Sequence, residues 1–274
     1  MKIAAIHVGH SHLAAMTPCL YNRPYQDTGK PNKILHFVFD TKRDNVYAAD
    51  DTKFNYSILN DGKLIINPRL MEYIDQRVDR DAKRVYFCQF GGNSHNSYML
   101  LQSPNKFDFT LPKFEHLELD TKADVIPFNA VKEVICRNTM IYLNDLRGIK
   151  NSVNDDVYHI MSPPPIFSGE KILEVLNADG YFANFENKII NSYSIRLKSW
   201  LLHSMIFREA AEECGVKLLE TEKVIGKTDN KMPLDCIGYD PTHGNLMYGG
   251  KVFNAVENIL NGDFAGWGWL QEGF

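Results

Sequence analysis

The chain has 274 residues, 44% hydrophobic and 23% charged, which is ordinary for a globular protein able to bury a full core and excludes a disordered or low-complexity class. A formal net charge of -4 lacks the basic footprint of a nucleic-acid partner. No window approaches the roughly 18 consecutive apolar residues of a membrane helix, and the opening apolar run is too short for a secretory h-region, so a cytoplasmic protein with no membrane partner is expected.

The first predicted element is a strand from Ile3 to Val8 that breaks at Gly9 and presents His10-Ser11-His12 before the helix-like Leu13-Ala14-Ala15-Met16. A strand, a glycine and a turn into a helix would hold the Ser11 hydroxyl at the carboxyl edge of a sheet, where open α/β proteins bind ligands. A second apolar strand runs from Ile34 to Phe39. Asn60-Asp61-Gly62-Lys63 reads as a hairpin turn, and Pro68 to Val78 as a helix with proline in its first turn.

The third strand, Val85 to Phe90, ends in Gly91-Gly92-Asn93, which places a side-chain amide at another strand end. From Gln102 to Ala123 the period is lost among Pro104, Pro112, Phe107, Phe109, Phe114 and several charges. This stretch is expected to be an ordered loop insertion, either a wall or lid of the site or a cover over core. A helix follows from Val125 to Leu146, then a strand from Val157 to Met161, a helix from Ile189 to Cys214 and a short strand from Val216 to Leu219. Near the end, Asp240-Pro241-Thr242-His243 puts a carboxylate and an imidazole in one loop, and Trp267 and Trp269 are expected to pack the tail onto the domain or another subunit.

Strands alternating with helices argue for βαβ crossovers and a mostly parallel sheet covered on both faces. The expected fold is α/β, a three-layer α/β/α sandwich with a flavodoxin-like sheet, formed by residues 1–274 as one domain. The five cysteines, Cys19, Cys88, Cys136, Cys214 and Cys236, are odd in number and never form C-x-x-C, which suggests neither a disulfide framework nor a zinc site.

Gly9-His10-Ser11, Gly91-Gly92-Asn93 and Asp240-Pro241-Thr242-His243 together resemble, in order and across nearly the whole chain, the motif blocks of the SGNH (GDSL-type) hydrolases. More loosely, Gly91-Gly92-Asn93-Ser94-His95-Asn96 followed by Phe107-Asp108-Phe109 and Ser162-Pro163-Pro164-Pro165 resembles a bacterial branch of that family, of unknown substrate. The family resemblance implies a serine nucleophile, Ser11, in a catalytic triad with Asp240 and His243, and an oxyanion hole built from the Ser11 N–H and the Asn93 amide. The sequence departs from the family pattern at His10, where Asp is usual, and at Ser94, where Asp follows the asparagine. The family's second-block glycine has no clear counterpart, Gly62 being the glycine in that region.

The chemistry these residue types support agrees with the resemblance. A serine hydroxyl needs a base to take its proton as it attacks a carbonyl, an imidazole can take that proton and return it to the leaving alcohol, and a carboxylate three residues earlier can fix the imidazole tautomer. The expected activity is that of a serine esterase acting on an O-acyl, or O-acetyl, ester of a sugar or other small metabolite, with no cofactor. The alternatives are an acyltransferase using the same serine and a catalytically inactive binding module of the same fold. His7, His10 and His12 raise a metal-site reading, but no acidic residue precedes Asp27 to bridge a dinuclear centre, so no metal is expected. His10, His12, Gly92 and His95 are candidate pocket-lining residues. Arg196 and Trp200, four apart on one helix face, are candidates to line a pocket for an anionic or sugar group, against a core role.

Overall fold

The computed structural model describes residues 1–22, 32–39, 56–178 and 188–262. Its strands are β1 (Lys2–Gly9), β2 (Lys33–Phe39), β3 (Ser57–Asn60), β4 (Lys63–Ile66), β5 (Lys83–Gln89), β6 (Phe107–Asp108), β7 (Asp124–Val125), β8 (Asp156–Ile160) and β9 (Lys217–Leu219). Its helices are α1 (Thr17–Asn22), α2 (Pro68–Asp75), α3 (Asn96–Met99), α4 (Phe128–Ser152), α5 (Gly169–Ala178), α6 (Tyr193–Cys214), α7 (Thr221–Ile225) and α8 (Leu246–Asn261), with a 3-10 turn over Ser11–Ala15. Trp267 and Trp269 lie outside the described residues. No helix among those residues is long and apolar enough to cross a membrane.

Among the described residues the central sheet has five parallel strands in the order β2-β1-β5-β8-β9. In order of appearance this is the flavodoxin-like 2-1-3-4-5 arrangement, whose switch point lies between the first and third strands. Side chains alternate across the sheet as strand geometry requires. Ala4, Ile6, Val8, Tyr86 and Cys88 join a core with residues of α2, α4 and α6, while Ile3, Ala5, Val85 and Phe87 join a second core with residues of α1, α5, α7 and α8. Two cores on opposite faces of one parallel sheet make the three-layer α/β/α architecture.

Asp61-Gly62 forms the two-residue turn between β3 and β4, both residues having positive φ. That hairpin leans on α4, where the Asp145 carboxylate accepts hydrogen bonds from Ser57 N at 3.1 Å and Ser57 Oγ at 2.8 Å. Gly62 is therefore a turn residue.

The 102–123 stretch is tied down from below. Phe109 and Leu111 are buried in the core on the α4 and α6 face, and Asp108 forms a fully buried ion pair with Lys198 of α6 at 3.0 Å. Lys198 Nζ also donates to Glu118 O at 2.9 Å, and Asp108 accepts from Phe109 N and Asp120 N. Charges taken out of water at this depth hold only because every remaining donor and acceptor is partnered.

Candidate active site

The register pairs Gly9 with Gln89 at the carboxyl ends of β1 and β5, and His10 N donates to Gln89 O at 3.1 Å. The two chains that leave these strands therefore start side by side at the switch point, one carrying Ser11 and the other Gly91-Gly92-Asn93. The third contribution comes from the loop before α8. Gly238 N donates to His243 O and Asn245 N to Cys236 O, both at 2.9 Å, and this narrow hairpin carries Asp240 and His243 at its tip. Asn245 caps α8 by accepting from Met247 N and Tyr248 N.

Within that tip Asp240 is nearly saturated with donors. Its Oδ1 accepts from Thr242 N at 2.8 Å, Thr242 Oγ1 at 2.7 Å and His243 N at 3.1 Å. Its Oδ2 takes His243 Nδ1–H at 2.6 Å. Burial alone would raise this carboxyl, but the His243 and Thr242 hydrogen bonds outweigh it and hold the group at about 2. It is an anion throughout the neutral range and fixes the proton of His243 on Nδ1, which leaves Nε2 as an acceptor.

That acceptor meets Asn93. Asn93 Nδ2 donates to His243 Nε2 at 2.9 Å, and Asn93 Oδ1 faces His12 Nε2 at 2.9 Å. The His12 ring is buried and lies 4.9 Å from the His243 ring, centroid to centroid. Asp240, His243, Asn93 and His12 thus form one continuous hydrogen-bonded row across three chain segments. Ser11 stands exposed beside it in the 3-10 turn. Among the described residues its hydroxyl makes no hydrogen bond, to His243 or to any other group, and its N–H, the first of the turn, has no acceptor.

The remaining sequence candidates separate. His10 sits in a cage of Tyr56, Phe90 and Tyr142 with ring centroids at 4.8, 5.4 and 5.0 Å, and its Nε2 is 3.9 Å from Asp145 Oδ2. His7 points to the opposite face of the sheet, against His36 at 3.0 Å and Phe253 of α8. His95 is buried against His203 of α6 at 5.0 Å, and burial together with His203 and His12 keeps it well below the usual histidine range. Ser94, at the family's Asp position, donates to Gly91 O at 2.9 Å and steadies the loop. Among the described residues no group of three or more His, Cys, Asp or Glu side chains could hold a metal.

Arg196 and Trp200 take the core role. Both are buried. Arg196 donates to Asn191 O at 3.0 Å, Phe167 O at 3.2 Å and Ile166 O, and Trp200 Nε1 donates to Ser162 O at 3.1 Å. These donors are used to pin the segment after β8 onto α6, so neither is free for an anion or a sugar.

Asp145 and its neighbours are what the sequence left unread. The carboxyl is buried and raised to about 7, with burial as the largest cause and the Ser57 hydrogen bonds opposing it; His10 at 3.9 Å is too far to hydrogen-bond. Because the folded-state value lies above the unfolded one, the folded chain binds the extra proton between about pH 4 and pH 7 and loses stability as pH rises through that window. Asp145→Asn, which keeps an acceptor for Ser57, should therefore flatten the fall in Tm between pH 4 and 8 and raise stability at pH 8 by about 2 kcal/mol or more. An unchanged pH profile in urea or thermal unfolding would show that Asp145 is not the group responsible.

No protein-family model matches the sequence, and a comparison with curated proteins finds no match. Among solved structures the chain is similar to a carbohydrate acetylesterase from Sinorhizobium meliloti, at 12% identity and a TM-score of 0.39 over 96% of this chain and 100% of that one. It is also similar to the native aryl esterase of M. smegmatis, at 9% identity and a TM-score of 0.40 over 95% and 99% of the two chains. A lipase/acylhydrolase from Enterococcus faecalis matches at 7% identity and a TM-score of 0.39 over 95% and 96%. Likenesses at these scores transfer neither an activity nor a residue role, and the chemistry rests on the geometry above.

Proposed function

We propose that the chain is a serine esterase of the SGNH type, acting through an acyl-enzyme on an O-acyl ester of a sugar or other small metabolite. The observation that carries this reading is the row Asp240–His243–Asn93–His12, whose last member is the chain neighbour of Ser11, an exposed serine whose hydroxyl and N–H are both unengaged among the described residues. In this reading Ser11 Oγ attacks the ester carbonyl, His243 Nε2 takes its proton, and Asp240 stabilises the imidazolium that forms. The tetrahedral oxygen takes hydrogen bonds from the Ser11 N–H and the Asn93 amide. His243 then protonates the leaving alcohol, and water repeats the sequence in reverse on the acyl-enzyme.

Asn93 Nδ2 occupies the Nε2 position that the Ser11 hydroxyl needs. Catalytic hydrogen bonds commonly tighten only once substrate is bound. An ester oxygen arriving between Ser11 N and Asn93 would draw the amide proton to itself and free Nε2 for Ser11.

The test is incubation with a fluorophosphonate, intact-mass measurement and peptide mapping, run beside a panel of short-chain aryl and sugar acetate esters with and without a chelator. One phosphonyl adduct on Ser11 and chelator-insensitive hydrolysis are expected. No adduct and no turnover on any ester would leave a binding module of this fold. Reversible loss of turnover on chelation would move the chemistry to a metal. Acyl transfer to an added alcohol in preference to water would make the enzyme a transferase.

A further inference from the structure

We propose that His12 is a positioning residue which orients the Asn93 amide so that its N–H, and not its oxygen, faces His243 and the reacting oxygen, and that Gly92 is the residue that admits the His12 ring. The proposal rests on the esterase reading and adds a residue to its oxyanion hole.

An asparagine side chain can occupy this place in two orientations related by a half-turn, and only one presents a donor. Its neighbours choose between them. Asp240 holds the His243 proton on Nδ1, so His243 Nε2 is an acceptor and requires Nδ2–H opposite it. On the other side, His12 Nδ1 is buried and has no hydrogen-bond partner. A proton there would be an unsatisfied buried donor, which costs more than an unpartnered lone pair. The neutral His12 ring therefore carries its proton on Nε2 and donates it to Asn93 Oδ1 at 2.9 Å. The row has one self-consistent direction: His12 Nε2–H to Asn93 Oδ1, Asn93 Nδ2–H to His243 Nε2, His243 Nδ1–H to Asp240. Burial, with the nearby His243, lowers His12 to about 3, so the ring stays neutral and the direction does not change across the working pH range.

The sequence carries the matching accommodation. A Cβ on Gly92 would collide with His12 Nε2 and Cδ2, so the middle residue of Gly91-Gly92-Asn93 must be glycine for the ring to reach the amide. On the far side of the same loop, Gly91 O is bonded by Ser94 Oγ at 2.9 Å and by His203 Nε2 at 3.0 Å. The backbone of the loop is thereby fixed, and what His12 adds is the orientation of one side chain.

The experiment is a double-mutant cycle on kcat and KM for an ester that the wild-type protein turns over, with His12→Phe, Asn93→Ala and the pair, together with 15N NMR of the wild-type imidazoles. Phe fills the ring volume and removes the donor. Asn93→Ala should lower kcat by about 10² to 10³ with KM within a few-fold, as for the loss of one oxyanion donor. His12→Phe should lower kcat by about 10-fold or more, and the pair should be no slower than Asn93→Ala alone. Gly92→Ala should reproduce the His12→Phe defect. In the wild-type NMR spectrum His12 should appear as the neutral Nε2–H tautomer down to pH 5, a readout that needs neither activity nor a folded variant. A His12→Phe loss that multiplies fully with that of Asn93→Ala, unchanged kcat in His12→Phe, or an Nδ1–H or charged His12 would overturn the proposal. Absence of ester turnover in the wild type with the expected tautomer would instead strike the esterase reading alone.

Discussion

Ser11→Ala is expected to lower kcat for ester hydrolysis by about 10⁴- to 10⁶-fold, leaving the residual rate that binding and the oxyanion donors can supply. The size follows from the step removed, since without the hydroxyl no acyl-enzyme forms and water must attack the bound ester directly. Stability should hardly move. The side chain is exposed and makes no hydrogen bond among the described residues, and exposed substitutions away from special features usually fall within about 0.5 kcal/mol. Turnover on an aryl ester and a thermal melt, on the same preparation, check both halves. A variant that keeps full turnover at unchanged Tm would remove Ser11 from the chemistry.

The second large effect concerns the two residues at the tip of the 238–243 hairpin. His243→Ala should cost about as much as Ser11→Ala, and Asp240→Asn about 10⁴-fold, by letting the imidazole adopt the wrong tautomer. Because Asp240 acts through a single hydrogen bond to His243 Nδ1, the double variant should be no slower than His243→Ala. Asp240 titrates at about 2 and His12 at about 3, so neither changes charge between pH 5 and 9. Only a neutral imidazole can take the serine proton, so kcat/KM should show an acidic limb that His243→Ala removes. An acidic limb that persists unchanged in His243→Ala would assign the base to another residue.

Much of this could be read before any coordinates. The strands at Ile3 to Val8, Ile34 to Phe39, Val85 to Phe90 and Val157 to Met161 are dense apolar runs because parallel strands are buried on both faces, and they correspond to β1, β2, β5 and β8. The sequence and the family it resembles point to Asn93, Asp240 and His243, and the structure brings them into one hydrogen-bonded row. The predicted Ser11 to His243 contact is not made among the described residues, since the Asn93 amide holds that nitrogen instead.

Other features had no local signature. Helix α8 is not among the expected elements and contains Gly249-Gly250; position 249 is glycine because a side chain there would collide with Ala15 O. Tertiary contact overrides propensity. The spacing of Arg196 and Trp200 correctly put them on one helix face, but periodicity does not say which face is inside. The carbonyls of Ile166 and Phe167 that receive the guanidinium come from about thirty residues away. Asp145 sits in the middle of a helix, where nothing in its neighbours announces Ser57, 88 positions earlier.

The seam where the start of the chain meets its end has a consequence for folding kinetics. The Asp240 and His243 pair closes within four residues, whereas joining it to the Ser11 segment requires α8 to dock on the 11–19 region, as Cys19 Sγ does on Leu246 O at 3.3 Å, 227 positions away. Contacts over such a separation meet the loop-closure entropy before they are rewarded, and so form late. During refolding, helical signal should therefore return before labelling of Ser11 does. In rising urea, labelling should fail before the sheet melts, because the segment that supplies the nucleophile is held to the one that supplies the base by contacts between distant parts of the chain.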